Sequence, residues 1–207
     1  METAETGATA KAAILVVAAM TLIGLLDTYV YVIAGRAGLG QFHMLRAIIA
    51  IPLVWAAVRL SGGRLTVKRP VRVAVRSMFF AISMLVYFGA LAFLPVASVA
   101  AGLFTAPIFV LLISVAFLRE RVGWRRVAAV GVGFAGILLV LRPGSSDIGL
   151  WVFAPIVGGL FYAIAGVITR RWCAEESTPT MLVGFFLAMI VLGGAGSVVL
   201  SLSDHAV

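Results

Sequence analysis

"SVAAGLFTAPIFVLLISVAFLRERVGWRR", residues 98–126, is apolar or small as far as Leu118, and its last eight positions hold four arginines and one glutamate. The apolar run begins well before the quoted stretch. Between Arg76 and Arg119 lie 42 residues without one Asp, Glu, Lys or Arg. As a continuous helix they would extend about 63 Å, twice the hydrocarbon thickness of a bilayer. The run therefore has to turn once, and Leu94-Pro95 is the natural place, because proline lacks an amide proton and disfavours helix in the residue before it. The quoted stretch is then a membrane helix that leaves the bilayer at its arginines.

Composition extends this to the whole chain. Hydrophobic residues make up 63% and charged residues 12%, against about half and a quarter in soluble domains. A soluble core of 207 residues could not hide that much apolar surface, whereas lipid accepts it on the outside of every helix. The predicted fold is all-α, a polytopic transmembrane helical bundle. Hydropathy and helix breakers delimit seven segments, at 12–34, 41–60, 73–94, 97–118, 125–141, 149–169 and 179–202. No connection between them is long enough for a soluble domain. Glu2 and Glu5 stand where a signal peptide would be basic, so the first segment is expected to remain as a helix.

The cations are placed unevenly. With the N-terminus in the cytoplasm, thirteen fall inside: Lys11, six around the second connection (Arg59, Arg64, Lys68, Arg69, Arg72, Arg76), Arg119, Arg121, Arg125, Arg126, Arg170 and Arg171. Outside are Arg36 and Arg142, while Arg46 falls within the second segment. Short cytoplasmic loops retain Lys and Arg, so this asymmetry sets the orientation and accounts for the net charge of +8 without nucleic acid. Trp124, Trp151 and Trp172 lie at segment ends, as interfacial anchors do.

Enzyme chemistry finds little footing. There is no HExxH, GxSxG or GxxxxGK[ST] motif. His43 and His205 lie near or beyond segment ends, and no histidine is placed to activate Ser197. The single cysteine, Cys173, allows no intrachain disulfide or thiolate cluster. No metal and no cofactor is expected. A retinal protein would need a lysine deep in its last helix, and the only lysines are Lys11 and Lys68.

Internal symmetry is more informative. At an offset of 135 residues, "IGLLDTYVYVIAGR" (23–36) aligns with "GGLFYAIAGVITRR" (158–171), matching Gly24 to Gly159, Leu25 to Leu160, Val32 to Val167, Ile33 to Ile168 and Arg36 to Arg171. "HML" at 43–45 reappears as "TML" at 180–182. Five segments separate the two copies, so the second starts from the opposite side of the membrane. That is the pattern of an inverted repeat.

Residues 90–144, "ALAFLPVASVAAGLFTAPIFVLLISVAFLRERVGWRRVAAVGVGFAGILLVLRPG", resemble the EamA-type carriers of the drug/metabolite transporter superfamily. They share the small-residue stretch after the third segment, a proline in the fourth (Pro107), an acid closing it (Glu120) and a glycine-rich fifth (Gly131, Gly133, Gly136). "RAIIAIPLVWAAVRL" (46–60) is similar to the family pattern too. The resemblance implies ten helices in two inverted five-helix repeats around a central cavity, moving small organic metabolites across a bacterial inner membrane by alternating access, in export or exchange. Here a tail (1–11) would precede one full repeat (12–144) and a partial second one (145–207). The C-terminus is then expected in the periplasm. The remaining walls would come from a homo-oligomer or a complementing C-terminal half. The alternative is a non-transporting fragment serving as an assembly partner or regulatory membrane subunit.

Asp27 and Arg46 are the ionisable groups furthest inside apolar segments, about 12 Å and 8 Å from the outer ends on adjacent antiparallel helices. As cavity groups, Arg46 would hold an anion and Asp27 a coupling proton or a cationic substrate; the plainer alternatives are a structural ion pair or Arg46 snorkelling to the outer interface. Helical spacing puts Asp27 and Tyr31 on one stripe with Gly24, and Ser83 with Tyr87 on another. These, with Tyr162, are the candidate cavity residues. Gly102 and Pro107 are a candidate hinge, against the alternative of a fixed bend. Glu120 among its arginines is a candidate cytoplasmic latch, against that of a solvated loop. Ala128, Gly131 and Ala135, like Gly159 and Ala163, have the spacing of close helix contacts.

Overall fold

Prolines set where several helices start. A proline in the first helical turn has no amide to leave unpaired, and its fixed φ suits the helix. Pro70, Pro107 and Pro155 all hold such positions, and Pro95 caps a fourth helix. The computed structural model describes residues 13–14, 17–18, 21, 38–120, 122–141, 151 and 153–203. It divides into two units, Met1–Arg36 and Ala37–Val207. In the first, the described residues are helical, and the Thr21 hydroxyl donates to the Val17 carbonyl at 2.9 Å. Gly24, Asp27, Tyr31, Arg36, Arg121 and Arg142 lie outside the described residues.

The second unit contains α1 (Leu39–Leu60), α2 (Pro70–Ala90), α3 (Val96–Leu103), α4 (Ala106–Ala116), α5 (Trp124–Leu141), α6 (Ala154–Trp172) and α7 (Thr178–Ser203). Among the described residues there is no strand. Four stretches are long and apolar enough to cross a membrane: Leu39–Leu60, Pro70–Ala90, Val96–Ala116 and Thr178–Ser197. The protein is a polytopic helical membrane bundle.

The fourth predicted segment is not one helix. It breaks between α3 and α4, where the Thr105 hydroxyl donates to the Gly102 carbonyl at 2.6 Å ahead of Pro107. The turn expected at Leu94-Pro95 is present, between the end of α2 and the start of α3. Arg72 and Arg76, counted with the second connection in the sequence, belong to α2, because the helix starts at Pro70.

Small residues decide which helices meet. α2 packs on α6 and α7, α1 on α7, and α3 and α4 on α6. A Cβ on Gly159 would lie 2.5 Å from Thr105 Oγ1 and 3.1 Å from the Gly102 carbonyl, and one on Gly102 would strike Pro155. α3 and α4 therefore run alongside α6 in the same sense. α1 and α7 cross backbone on backbone: a Cβ on Gly40 would come within 2.5 Å of the Gly193 carbonyl. In lipid such contacts hold helices by close van der Waals packing, since there is no water to expel. Ala47, Ala81, Phe185, Ala188 and Met189 form the buried cluster shared by α1, α2 and α7.

The arginine-rich ends are tied together. Glu176, in the α6–α7 connection and 8% exposed, accepts the backbone N–H of Arg69 at 2.7 Å and of Lys68 at 3.0 Å. These donors open α2, where a carboxylate meets the positive end of the helix dipole. The Thr180 hydroxyl donates to the Thr66 carbonyl at 3.0 Å, and Arg69 lies 3.9 Å from Glu175. The α1–α2 and α6–α7 connections thus share one end of the bundle.

Candidate functional site

The polar groups carried by α1, α2 and α6 fall into two places. The first is where α1 faces α2, near the end opposite the arginines. His43 is 1% exposed, its ring 4.6 Å from that of Phe88 and 5.2 Å from that of Phe42. Neither imidazole nitrogen finds a hydrogen-bond partner among the described residues. One turn further along α1, the Arg46 guanidinium stands over Phe88, 5.7 Å from the ring centroid. The buried Tyr87 ring meets Phe88 edge-on at 5.2 Å. The result is an aromatic cluster with one cation and one imidazole, suited to flat or charged groups through stacking and cation–π contact.

The second place lies toward the arginine-rich end of the bundle. Arg76 on α2 donates from Nε to Thr169 Oγ1 at 3.0 Å on α6 and from Nη1 to the Met181 carbonyl at 3.3 Å on α7, with Phe80 4.7 Å beneath its guanidinium. One side chain therefore joins three helices, as the fork of donors on arginine allows. Cys173 packs nearby with Val73 and Ile168, and burial pushes its thiol above the usual range, the state of an inert packing group.

The structure brings some of the sequence candidates together and separates others. Arg46 and Tyr87 share the Phe88 ring. Ser83 is fully buried, and its hydroxyl donates to the Gly158 carbonyl at 2.8 Å, so it joins α2 to α6. Tyr162 is 40% exposed and tilts against Phe80. Gly102 sits in the α3–α6 crossing, and Pro107 in the first turn of α4. Glu120 is half-buried, its amide bonded to the Ser114 carbonyl, and it forms no ion pair among the described residues. Asp27 and Tyr31 lie outside the described residues.

Sequence reasoning passed over His43, Arg76 and Glu176. A signal for the first was present: His43 and Arg46 are three apart, hence on one helix face, with Ala47 beside them. Glu176 left no comparable signal, because its partners are 107 and 108 residues away.

An apolar helical bundle with an aromatic, cationic cluster between its helices is the architecture of an integral membrane protein. A profile of the EamA-like transporter family matches residues 10–142, and the chain belongs to that family. It is 29% identical over 136 residues to a riboflavin transporter of Rhizobium johnstonii, covering 66% of this chain and 45% of that one. It is 26% identical over 144 residues to an S-adenosylmethionine uptake transporter of Rickettsia bellii, covering 70% and 48%. It is 28% identical over 148 residues to the pseudopaline exporter CntI of Pseudomonas aeruginosa, covering 71% and 52%. The chain spans about half the length of these curated relatives. No solved structure matches it.

Proposed function

We propose that the chain is a secondary carrier of a small organic metabolite in a bacterial inner membrane, working by alternating access in export or exchange. The family match over residues 10–142 carries this reading. The named solutes of the relatives are riboflavin, S-adenosylmethionine and pseudopaline, polar organic molecules, and riboflavin and S-adenosylmethionine carry large flat heteroaromatic rings. The cluster of Arg46, Tyr87 and Phe88 has the chemistry to hold such a group. By helical spacing alone, Asp27 is the coupling acid and Tyr31 a solute contact, and Tyr162 contributes from α6. Ser83 supports the wall. The break before Pro107 lets α4 pivot while Gly102 keeps α3 seated on α6, and Glu120 latches the cytoplasmic end against its arginines.

The carrier works as an inverted-repeat assembly with its N-terminus in the cytoplasm. The cation asymmetry and the antiparallel α1–α7 crossing support that arrangement.

Vesicle transport with a panel of flavin, nucleoside and amino-carboxylate solutes tests the function. The expected result is saturable, proton-dependent movement of at least one, abolished in Asp27→Asn. Movement of none, in vesicles holding monodisperse protein, would favour the assembly-partner alternative. Coupling unchanged in Asp27→Asn would remove that role from Asp27.

A further inference from the structure

Two clefts meet at the arginine-rich end of the bundle. The first, about 230 Å³, is walled by Trp55, Val58, Arg59, Arg64, Leu65 and Thr66. Its shape comes from Gly62, whose φ of +72° belongs to the left-handed region that glycine enters without strain. Hydrogen bonds from Gly62 N to the Arg59 carbonyl at 3.1 Å and from Gly63 N to the Val58 carbonyl at 2.9 Å close the turn. The chain reverses directly after α1, so Arg64 returns to the cleft that Arg59 lines. Arg59 lies 5.1 Å from the centroid of the Trp55 ring, a stack that holds the guanidinium at an interfacial tryptophan. Neither arginine forms an ion pair among the described residues, where Arg69 takes the neighbouring carboxylate of Glu175. Two guanidiniums with open donors at one polar cleft match the charge and geometry of a phosphate diester.

The second cleft is about 350 Å³ and almost wholly apolar, running between α2 and α7 past Val73, Ala74, Met78, Val183, Leu187 and Val191. Leu65 lines both clefts, so they adjoin. From Thr180 to Val191 the groove follows α7 for about 16 Å, a distance that takes most of an acyl chain. A cationic cleft at the membrane interface beside a hydrocarbon-lined groove has the polarity of one phospholipid molecule, head and tail.

We propose that this composite site binds an anionic phospholipid, its phosphate on Arg59 and Arg64 and one acyl chain in the α2–α7 groove. The site is independent of the transport reading, since none of its residues belongs to the proposed solute path. Charge complementarity selects the anionic lipid: a zwitterionic headgroup brings its own cation to two arginines that have no carboxylate to share.

Native mass spectrometry of the delipidated chain in detergent tests it, titrating phosphatidylglycerol against phosphatidylcholine with the same acyl chains. Phosphatidylglycerol is expected to bind about tenfold more tightly. Arg59→Gln/Arg64→Gln abolishes that preference. Arg170→Gln/Arg171→Gln, which removes the same charge from the exposed last turn of α6, keeps it. Ala74→Phe fills the groove and weakens both lipids without changing their ratio. Should the double glutamine variant not fold, Arg64→Gln in the connection reads the same preference. Equal binding of the two lipids, a preference surviving Arg59→Gln/Arg64→Gln, or an equal loss in the α6 control would overturn the site. Full competition by soluble glycerol phosphate would make it a free-phosphate site and overturn the lipid. No effect of Ala74→Phe would overturn the groove's part.

Discussion

α5 and α6 carry the same small-residue spacing and put it to different use. On α6, Gly159 lies under Thr105 and the Gly102 carbonyl, and Ala163 is fully buried. On α5, a Cβ on Gly131, Gly133 or Gly136 would meet nothing within 4 Å, and Ala128 and Ala135 are exposed. Ile137 is the buried residue of α5 among the described side chains, against Ala101, and beside it a cleft of about 720 Å³ separates α5 from α3 and α4. Glycine and alanine permit a close approach, but whether one happens depends on a partner helix that local spacing does not name. The polar connections follow the same division. The α6 side is stitched by Arg76, Ser83 and Glu176, whereas no side-chain hydrogen bond reaches α5 from another helix among the described residues.

The sharpest break of this comparison is a matched pair of substitutions. Gly159→Leu forces four carbons into the α3–α4–α6 crossing and should cost about 3 kcal/mol. Gly131→Leu should change stability by less than about 0.5 kcal/mol. Thermal unfolding in detergent, followed by circular dichroism, measures both. If Gly131→Leu is as damaging as Gly159→Leu, α5 has a packed face in solution, and light scattering would then show a second copy.

A smaller effect is expected at the two acids that close helices. Glu176 accepts charge-assisted bonds from two backbone amides, and Glu176→Ala leaves those donors unmatched at the start of α2, a loss of about 2 kcal/mol. Glu120→Ala, on the α4–α5 side, should stay within about 0.5 kcal/mol. Urea titration of the detergent-solubilised chain separates the two. An equal loss at Glu120 would mean that its carboxylate is engaged in the folded protein.

These contrasts mark how far the sequence could be read. Helix positions were legible because uninterrupted apolar runs and prolines are local facts: the turn at Leu94-Pro95 and the seventh segment at 179–202 lie close to where the structure has them. The break within the fourth segment falls between Gly102 and Pro107, the pair whose residue types already pointed to a hinge or a bend; what no local pattern showed is that Pro155 and Gly159, from a helix some fifty residues on, pack against it. Arg76 was counted with a connection because charge in a hydropathy profile signals a helix end; its fork reaches α6 and α7 from inside α2 instead. Glu120 stood out through its arginine neighbours, whereas the acid that ties two connections together is Glu176, with no arginine within four positions on either side. His43 was passed over as a helix-end residue, yet α1 begins at Leu39 and carries its ring under Phe88. Long-range pairing, not propensity, decided each of these.

The smallest expected effect bears most directly on the solute path. Ser83 shares a stripe with Tyr87 on α2, and both are buried, so spacing alone assigns them one role. Their surroundings do not: the Ser83 hydroxyl is committed to Gly158 on α6 at 2.8 Å, while Tyr87 meets the Phe88 ring that Arg46 also covers. Ser83→Ala removes one interhelical hydrogen bond in lipid, worth about 0.6 kcal/mol, because the membrane-inserted reference state finds other partners. Stability should fall by that amount, with transport per folded molecule unchanged in vesicles. A drop in transport without a matching drop in stability would put the hydroxyl on the solute path, and the α2–α6 seam, described here as structural, would then be one wall of the cavity.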